Sequence, residues 1–406
     1  MAVARKIIND PVHGFITINH PLIFKIVEHP YFQRMRRIKQ MAMASLVYPG
    51  AVHTRLHHAL GAYHLMCIAI NELKDKSVPI SPEEELAVKC AILLHDIGHG
   101  PFSHALEHLL VQNVHHEKLS LQIMEAMNAE FEGALDLTIA IFTGRYHKPY
   151  LHQLISGQLD MDRMDYLSRD SFFTGVSEGV IGYGRILKML AVNGNQLMVE
   201  EKGVHSVEKF LIARRQMYWQ VYLHKTVIAA EKMMVNILRR ARELYESGDQ
   251  EVKLHSPLDY FFLEYKGKMD QYSLDKFCQL DDGDIQSGIK KWSGHPDLVL
   301  SRLSRNLLDR VLLKCKLQGH PFEAAYIENK KDRAQTAYGL TPEQVEYFVF
   351  TGEAANTTYN FADENILILA KDGSVKEITA IENALIQQTI STPIKKFYIC
   401  FPKKEH

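Results

Sequence analysis

Cysteine is scarce in this chain: Cys67, Cys90, Cys278, Cys315 and Cys400 form no CxxC pair. Their odd number and wide spacing exclude a disulfide framework, and they read as reduced packing residues of a cytoplasmic protein. An excess of either charge is also missing. Lys and Arg number 47 against 48 Asp and Glu, a net charge of −1, which excludes binding to nucleic acid or anionic membrane through overall charge. Any anionic ligand must be met by local arginines. No uncharged apolar run is long enough to span a bilayer, and Met1 leads into AVARKIINDP with no apolar leader core. Internal repeats and low-complexity segments are absent too.

What the chain has is histidine and a large apolar fraction. Hydrophobic residues make up 46% of the 406 positions, ample for a sizeable core. Ten of its 21 histidines fall between His53 and His116. The densest part is Cys90 to Glu117, CAILLHDIGHGPFSHALEHLLVQNVHHE. The apolar run Ala91 to Leu94 delivers a His-Asp pair, and Gly98, Gly100 and Pro101 then end the helix before a new one starts near Ser103. Imidazole and carboxylate are thereby presented side by side at a helix end, an arrangement suited to neighbouring metal ions. An isolated His-Asp pair arises about once by chance in such a chain. The company of His53, His57, His58, His64, His99, His104, His108, His115 and His116 gives this one its weight.

Upstream, Asn-Asp-Pro and His-Gly steps in Lys6 to Gly14 predict turns and short extended pieces. YFQRMRRIKQM predicts a basic helix with Arg34, Arg36, Arg37 and Lys39 on a solvated face. His53 to Leu73 reads as an amphipathic helix carrying His57, His58 and His64. Ser81-Pro82-Glu83-Glu84 is a capping box that starts the helix ending at His95-Asp96. Residues 120–158 read as further helices with a break at Thr143-Gly144-Arg145. In LDMDRMDYLSRD, Asp162, Tyr166 and Asp170 recur every four residues and share one helical face, while Asp160 and Asp165 fall off it and read as solvated. One long helix is expected from Ser206 to about Tyr245, with Arg214, Tyr218 and Tyr222 at fourfold spacing, a pattern more often core than ligand site. The Asp281-Asp-Gly-Asp and Ser293-Gly-His-Pro steps read as loop punctuation. From Asn365 the texture changes: ILILAKDGSVKEIT predicts a hairpin around Asp372-Gly373, and KKFYICF a last strand.

His58, His95, Asp96 and Asp162 are thus candidate ligands on separate helices. A nitrogen and oxygen set suits Mn, Fe, Zn, Ni, Co or Mg, and a metal-acidified water is a nucleophile near neutral pH. Attack on phosphorus then needs an acid, for which His104 and His116-Glu117 are candidates, and cations, for which Arg55, Arg163 and Arg214 are candidates. Metal-assisted phosphoester hydrolysis is the reaction class.

The motifs HTRLHHALG from His53, HDIGHGPFSH from His95, HHE at 115–117 and DMDRMDYLSRD from Asp160 resemble the HD-domain superfamily of metal-dependent phosphohydrolases. More narrowly, they are similar to the deoxynucleoside triphosphate (dNTP) triphosphohydrolases, which include dGTPases and the type that in animals adds a SAM domain. No SAM domain accompanies the likeness, which runs from Lys6 to about Lys225. It implies an all-helical catalytic core, and with the strand texture after Asn365 the expected fold is mainly α, an HD-domain helical core with a small α+β C-terminal appendage. The expected organisation is a catalytic core with an N-terminal regulatory segment over 1–245, a helical and loop connection over 246–300, and a C-terminal α+β region over 301–406. The implied activity is hydrolysis of a dNTP at the α-phosphorus to a deoxynucleoside and inorganic triphosphate.

By the resemblance, His58, His95, Asp96 and Asp162 are the metal ligands. His104 protonates the 5′ oxygen, with His99, His116 and Glu117 around it; Glu107 stands where the family has Asp. Arg55, Arg163 and Arg214 meet phosphate. Gln40, Tyr166, Asp170 and Tyr222 surround the sugar, where a tyrosine near C2′ excludes ribonucleotides. MAMASLVY replaces the family's Gly-rich run after the Gln, so contacts to the base differ on that side. The resemblance also implies a regulatory guanine nucleotide at a subunit interface of a homo-oligomer, with a tetramer favoured. Lys6, Asn9, Glu28, Gln33 and Arg36 would form one site, and Arg185, Lys202 and an Arg310/Lys314 pair at i, i+4 would supply cations for a second. Glu200 stands there in place of an arginine. Two alternatives share the ligand set: an HD phosphodiesterase or (p)ppGpp-type hydrolase, and a non-enzymatic nucleotide sensor on an HD scaffold. The preferred base stays open.

Overall fold

The computed structural model describes residues 5–103, 115–356, 365–380 and 394–403. The helix expected to begin near Ser103, with His104, Glu107 and His108, lies outside the described residues. Helices dominate the chain. An N-terminal hairpin of β1 (Lys6–Asp10) and β2 (Gly14–Ile18), paired Lys6 to Ile18 and Asp10 to Gly14, turns through Gly14 at φ 77°. Helix α1 (Pro21–Glu28) follows. The expected basic helix is instead a short turn, Pro30–Gln33, running into a 3-10 turn, Arg34–Arg37, and Arg34 is fully buried where a solvated face was expected.

Helix α2 (Arg55–Asp75) is the central rod. Leu56, Ala59, Leu60, Ala62, Leu65, Met66, Ala69, Ile70 and Leu73 bury most of its circumference, so it is a core helix and not an amphipathic surface one. Against it pack α3 (Pro82–Leu94) and, further along the chain, α6 (Met161–Thr174). The Ser81 capping box forms as expected: Glu84 N–H donates to Ser81 Oγ, and Ser81 N–H donates to Glu84. Helices α4 (His116–Glu130) and α5 (Asp136–Phe142) precede α6, with Gly144 at φ 68° in the expected break.

The long helix expected after Ser206 is two helices, α7 (Val204–Met217) and α8 (Lys225–Glu246). Between them Tyr218–Tyr222 forms a π-helical turn, closed by the Leu223 N–H donating to the Tyr218 carbonyl at 2.7 Å. A π turn shifts the register of the aromatic residues that follow it, and such turns cluster at functional sites. The DDGD step is not only punctuation: Asp281 caps α9 (Asp282–Trp292), which leads to α10 (Leu298–Leu308). Arg310 (φ 56°) lies beyond α10 and Lys314 opens a strand, so these two do not share a helical face.

The C-terminal hairpin expected at Asp372-Gly373 is present as β7 (Leu367–Leu369) and β8 (Val375–Glu377). It extends β3 (Leu190–Asn193) and β4 (Gln196–Glu200) into a four-stranded sheet through parallel pairing of Val199 with Ile368. The last strand, β9 (Ile394–Phe401), lies between β5 (Lys314–Gln318) and β6 (Phe350–Asn356).

Helices α2 and α6 approach closely because Gly61 has no side chain. A Cβ there would come within 2.0 Å of Asp165 Oδ1 and 2.2 Å of Arg169 Nη2. Gly61→Ala therefore forces the two helices apart, and the expected cost is about 1–3 kcal/mol of folding stability, read from chemical denaturation. An unchanged midpoint would contradict this packing.

Candidate active site

The ligand candidates are delivered by three helices. His58 comes from the first turn of α2, His95 and Asp96 from the C-terminal end of α3, and Asp162 from the first turn of α6. His58 Nε2 lies 3.4 Å from His95 Nε2 and 3.1 Å from Asp162 Oδ1, and His95 Nε2 lies 3.5 Å from the same oxygen. Asp96 closes the group, with Oδ1 3.4 Å from His95 Nε2 and Oδ2 3.7 Å from His58 Nε2.

The tautomers settle what fits between them. His58 Nδ1 donates to Asp165 Oδ2 at 2.8 Å and His95 Nδ1 to the Ile92 carbonyl at 2.7 Å. In the neutral rings both Nε2 atoms therefore carry bare lone pairs that face each other and two carboxylates, a set that only a cation can satisfy. Burial opposes charge on His58, yet hydrogen bonds to Asp162 and Asp165 carry its pKa up to about 10. The acceptors that stabilise a proton there would equally hold a divalent ion. Two imidazoles and two carboxylates suit a first-row divalent metal or Mg.

Asp165 is where the structure corrects the sequence reading most plainly, because both Asp160 and Asp165 are fully buried and not solvated. Asp160 caps α6, accepting from the Arg163 and Gly157 N–H groups, and burial pushes its carboxyl to about 6. Asp165 accepts from His58, from His13 Nε2 at 2.6 Å and from Arg169 at 2.9 and 3.0 Å. Arg169 also binds Asp10, and His13 Nδ1 meets the Tyr183 hydroxyl at 3.1 Å. Asp10 and His13 come from the N-terminal hairpin, so that segment is wired to a ligand of the metal group. The i, i+3 step from Asp162 to Asp165 was the available signal. It was missed because only the fourfold repeat was followed.

Beside the ligand group is a cavity of about 440 Å³, lined among others by Gln40, Arg55, Phe102, Ser103, Tyr166, Asp170, Tyr218 and Tyr222. Asp170 is held from two sides, by His53 Nε2 at 2.7 Å and the Tyr222 hydroxyl at 2.7 Å. Arg55 donates to Ser103 Oγ at 2.9 Å and forms an ion pair with Asp96. Gln40 Oε1 is buried without a hydrogen-bond partner among the described residues. Ala42, Phe102 and Ser103 hold left-handed backbone, at φ 42°, 52° and 52°, all on the cavity wall. Such strain in residues other than glycine persists where the surroundings enforce it and collects at functional sites. The enforcement is visible here: buried Asp282 accepts from the Lys39 and Phe102 N–H groups at 2.9 Å each, and Arg34 donates to the Ile97 and His99 carbonyls at 2.9 Å.

On the other side of the ligands a second cleft of about 460 Å³ is lined by His95, Asp96, Asp162, His116, Glu117 and His152. The rings of His99 and His116 stack at 4.0 Å, and His99 Nε2 lies 3.5 Å from Asp96. Burial and the nearby Arg55 hold His99 far below its ordinary pKa. The acid candidate His104 lies outside the described residues. Arg163 pairs with Asp160 and the Gly157 carbonyl. Arg214 reaches Gln158 Oε1 at 3.3 Å, with its Nε buried and without a hydrogen-bond partner.

Of the regulatory candidates, Lys6 pairs with Glu28 at 3.3 Å, and Gln33 binds both Arg36 and the Val27 carbonyl, so these four form one patch near exposed Asn9. The second set does not gather: Arg185 donates to the Lys202 carbonyl, whereas Arg310 donates to the Leu46 carbonyl. Glu200 is paired with Lys76 at 2.6 Å.

Two outcomes follow for the metal group. Protein purified without chelator is expected to carry a divalent metal that His95→Ala and Asp96→Ala lose, by elemental analysis. Asp165→Asn, which touches no ion, is expected to weaken metal affinity about 10- to 100-fold in a chelator competition, since it releases the His58 tautomer. Unchanged metal content or affinity would refute these roles.

The HD domain model matches residues 55–170, and the HD associated region model residues 181–259. Uncharacterized protein YwfO of Bacillus subtilis is 30% identical over 423 residues, covering 98% of this chain and 92% of that one. The human deoxynucleoside triphosphate triphosphohydrolase SAMHD1 is 28% identical over 302 residues, covering 63% of this chain and 48% of its own. A crystal structure of a phosphohydrolase from Bacteroides thetaiotaomicron superposes with a TM-score of 0.94 at 48% identity, over 98% of this chain and 100% of that one. With two histidines and two aspartates converging from three helices, the chain belongs to the HD-domain superfamily of phosphohydrolases and is homologous to the SAMHD1 dNTP triphosphohydrolases.

Proposed function

We propose that this protein hydrolyses deoxynucleoside triphosphates to a deoxynucleoside and inorganic triphosphate. The observation that carries the reading is the Asp170 carboxylate, fixed by His53 and Tyr222 in a cavity that opens beside the His58, His95 and Asp162 group. A carboxylate held in this way accepts from a sugar 3′-hydroxyl, with Gln40 Oε1 as a second free acceptor. Tyr166 and Tyr222, whose rings are 6.3 Å apart, border the sugar and leave little room for a 2′-hydroxyl. A bound divalent ion supplies Lewis acidity to a phosphoryl oxygen and acidifies the attacking water. Arg55 neutralises charge on the α-phosphoryl side, and Arg214, with its unpartnered Nε, is a cation for the triphosphate. Arg163 joins it on leaving Asp160. By the family likeness, His104 donates the proton to the 5′ oxygen, and His99 and His116-Glu117 stand around the α-phosphate and the acid.

A guanine nucleotide at Lys6, Asn9, Glu28, Gln33 and Arg36 is the proposed activator of a homo-oligomer, a tetramer by the family likeness. Exposed Ile7 and Phe15 on the same hairpin, 53% and 71% accessible, support an interface there. Arg185, Lys202, Arg310 and Lys314 enter only if neighbouring subunits bring them together. A ligand that favours the oligomer shifts assembly by its differential affinity.

Chromatography of a dNTP digest is expected to give deoxynucleoside and triphosphate in one step, and stepwise release of phosphate would contradict the reading. Tyr222→Ala is expected to narrow discrimination against ribonucleotides, and His104→Ala to lose turnover while keeping metal. Light scattering with and without GTP, alongside dATP turnover, tests the activator: size and rate indifferent to GTP, with Arg36→Ala changing neither, would remove it.

A further inference from the structure

The cavity extends beyond the tyrosines that border the proposed sugar position. Its wall also includes Met41, Ala42 and Ala44 from the strained loop and Val227, Glu231 and Lys232 from α8. Val227 and Glu231 are one helical turn apart and so share a face. Helix α8 starts after the π turn that carries Tyr222, so the cavity wall continues from the tyrosine that holds Asp170 to Val227 and Glu231 on the next helix. Apolar side chains of this size suit the face of a flat ring. The two charged ones meet its edge.

Among the described residues Glu231 takes part in no hydrogen bond, and the charge acting on it is that of adjacent Lys232, whereas Asp170 on the same cavity wall is held from two sides. Burial raises its carboxyl to about 7, with Lys232 opposing. A carboxyl so placed in a cleft, half-buried and without a protein hydrogen bond among the described residues, is open to a ligand. A carboxylate offers two acceptors and the adjacent ammonium only donors. Guanine presents N1–H and N2–H₂ as donors beside the O6 acceptor, the complement of that pair. Thymine offers a single N3–H beside O4. Adenine and cytosine set a bare ring nitrogen against the carboxylate.

Resting on the reading of the cavity as a dNTP site, we infer that Glu231 and Lys232 read the Watson–Crick edge of the substrate base and make the enzyme select guanine, with thymine next. The test is kcat/KM for dGTP, dTTP, dATP and dCTP with the metal-loaded full chain, GTP being held constant so that activation does not vary. The wild type is expected to favour dGTP over dATP by at least about tenfold, because a carboxylate left facing a ring nitrogen gains no hydrogen bond and is repelled by the lone pair. Glu231→Gln, which keeps one acceptor but adds donors, is expected to collapse the dGTP to dATP ratio, and Lys232→Ala to lower it less. Because each ratio compares substrates on the same preparation, a loss of folded protein cannot mimic the effect. A wild type that prefers dATP or dCTP overturns the inference, as does a ratio that stays within about twofold in both Glu231→Gln and Glu231→Ala. Calorimetry with α,β-imido dNTPs separates the two readings. A wild type that neither binds nor hydrolyses any dNTP overturns the proposed function and this inference with it, whereas binding and turnover with unaltered ratios overturn the inference alone.

Discussion

The buried carboxylate of Asp165 is the constraint on which the site depends. It sits with no exposure between α2 and α6, and its charge is tolerated only because His58, His13 and Arg169 all donate to it. Removing one partner from such a group leaves a charge uncompensated in a low-dielectric interior, which costs far more than a surface ion pair. The arrangement therefore fixes several features at once. It requires glycine at position 61 for the approach of the helices, it locks the His58 ring in the tautomer whose Nε2 faces the other ligands, and it anchors the N-terminal hairpin through His13 and Asp10.

A second layer of constraint acts on the chain between His95 and Ser103. Gly98 lies so close to α4 that a Cβ would meet the His116 carbonyl and the Ser120 N–H at 2.3 Å. Ser120 Oγ ties the same turn down by donating to the His95 carbonyl and accepting from the Gly98 N–H. Arg34 and Asp282, from distant parts of the sequence, hold its backbone from the other side. Left-handed Phe102 and Ser103 are the local cost of this fixation. The result is a cavity wall set before any ligand arrives, and preorganisation of this kind is how electrostatic groups come to favour a transition state over a ground state.

That His58, His95, Asp96 and Asp162 come together was legible in the sequence because each sits at or near a helix end, which is a local signal. The capping box at Ser81, the break at Gly144 and the hairpin at Asp372 were legible for the same reason. What was not legible depends on contacts far apart in the chain. Nothing near Asp165 announces that its partner is His13, so an acidic helix looked solvated. Arg34 looked like one more surface cation because its carbonyl acceptors come from Ile97, His99 and Leu280. The π turn at Tyr218 was invisible to a helical periodicity that runs unbroken through it. Helix-spaced Arg310 and Lys314 gave the opposite error, a local pattern with no helix beneath it.

Hydrolysis at the α-phosphorus is distinguished from every other phosphatase reaction by the phosphorus that water attacks. Hydrolysis in ¹⁸O-enriched water, followed by mass spectrometry of the products, reads this directly. Attack at the α-phosphorus with cleavage to the 5′ oxygen predicts one heavy oxygen in the triphosphate and none in the deoxynucleoside. Heavy oxygen in orthophosphate or in a nucleoside monophosphate would contradict it.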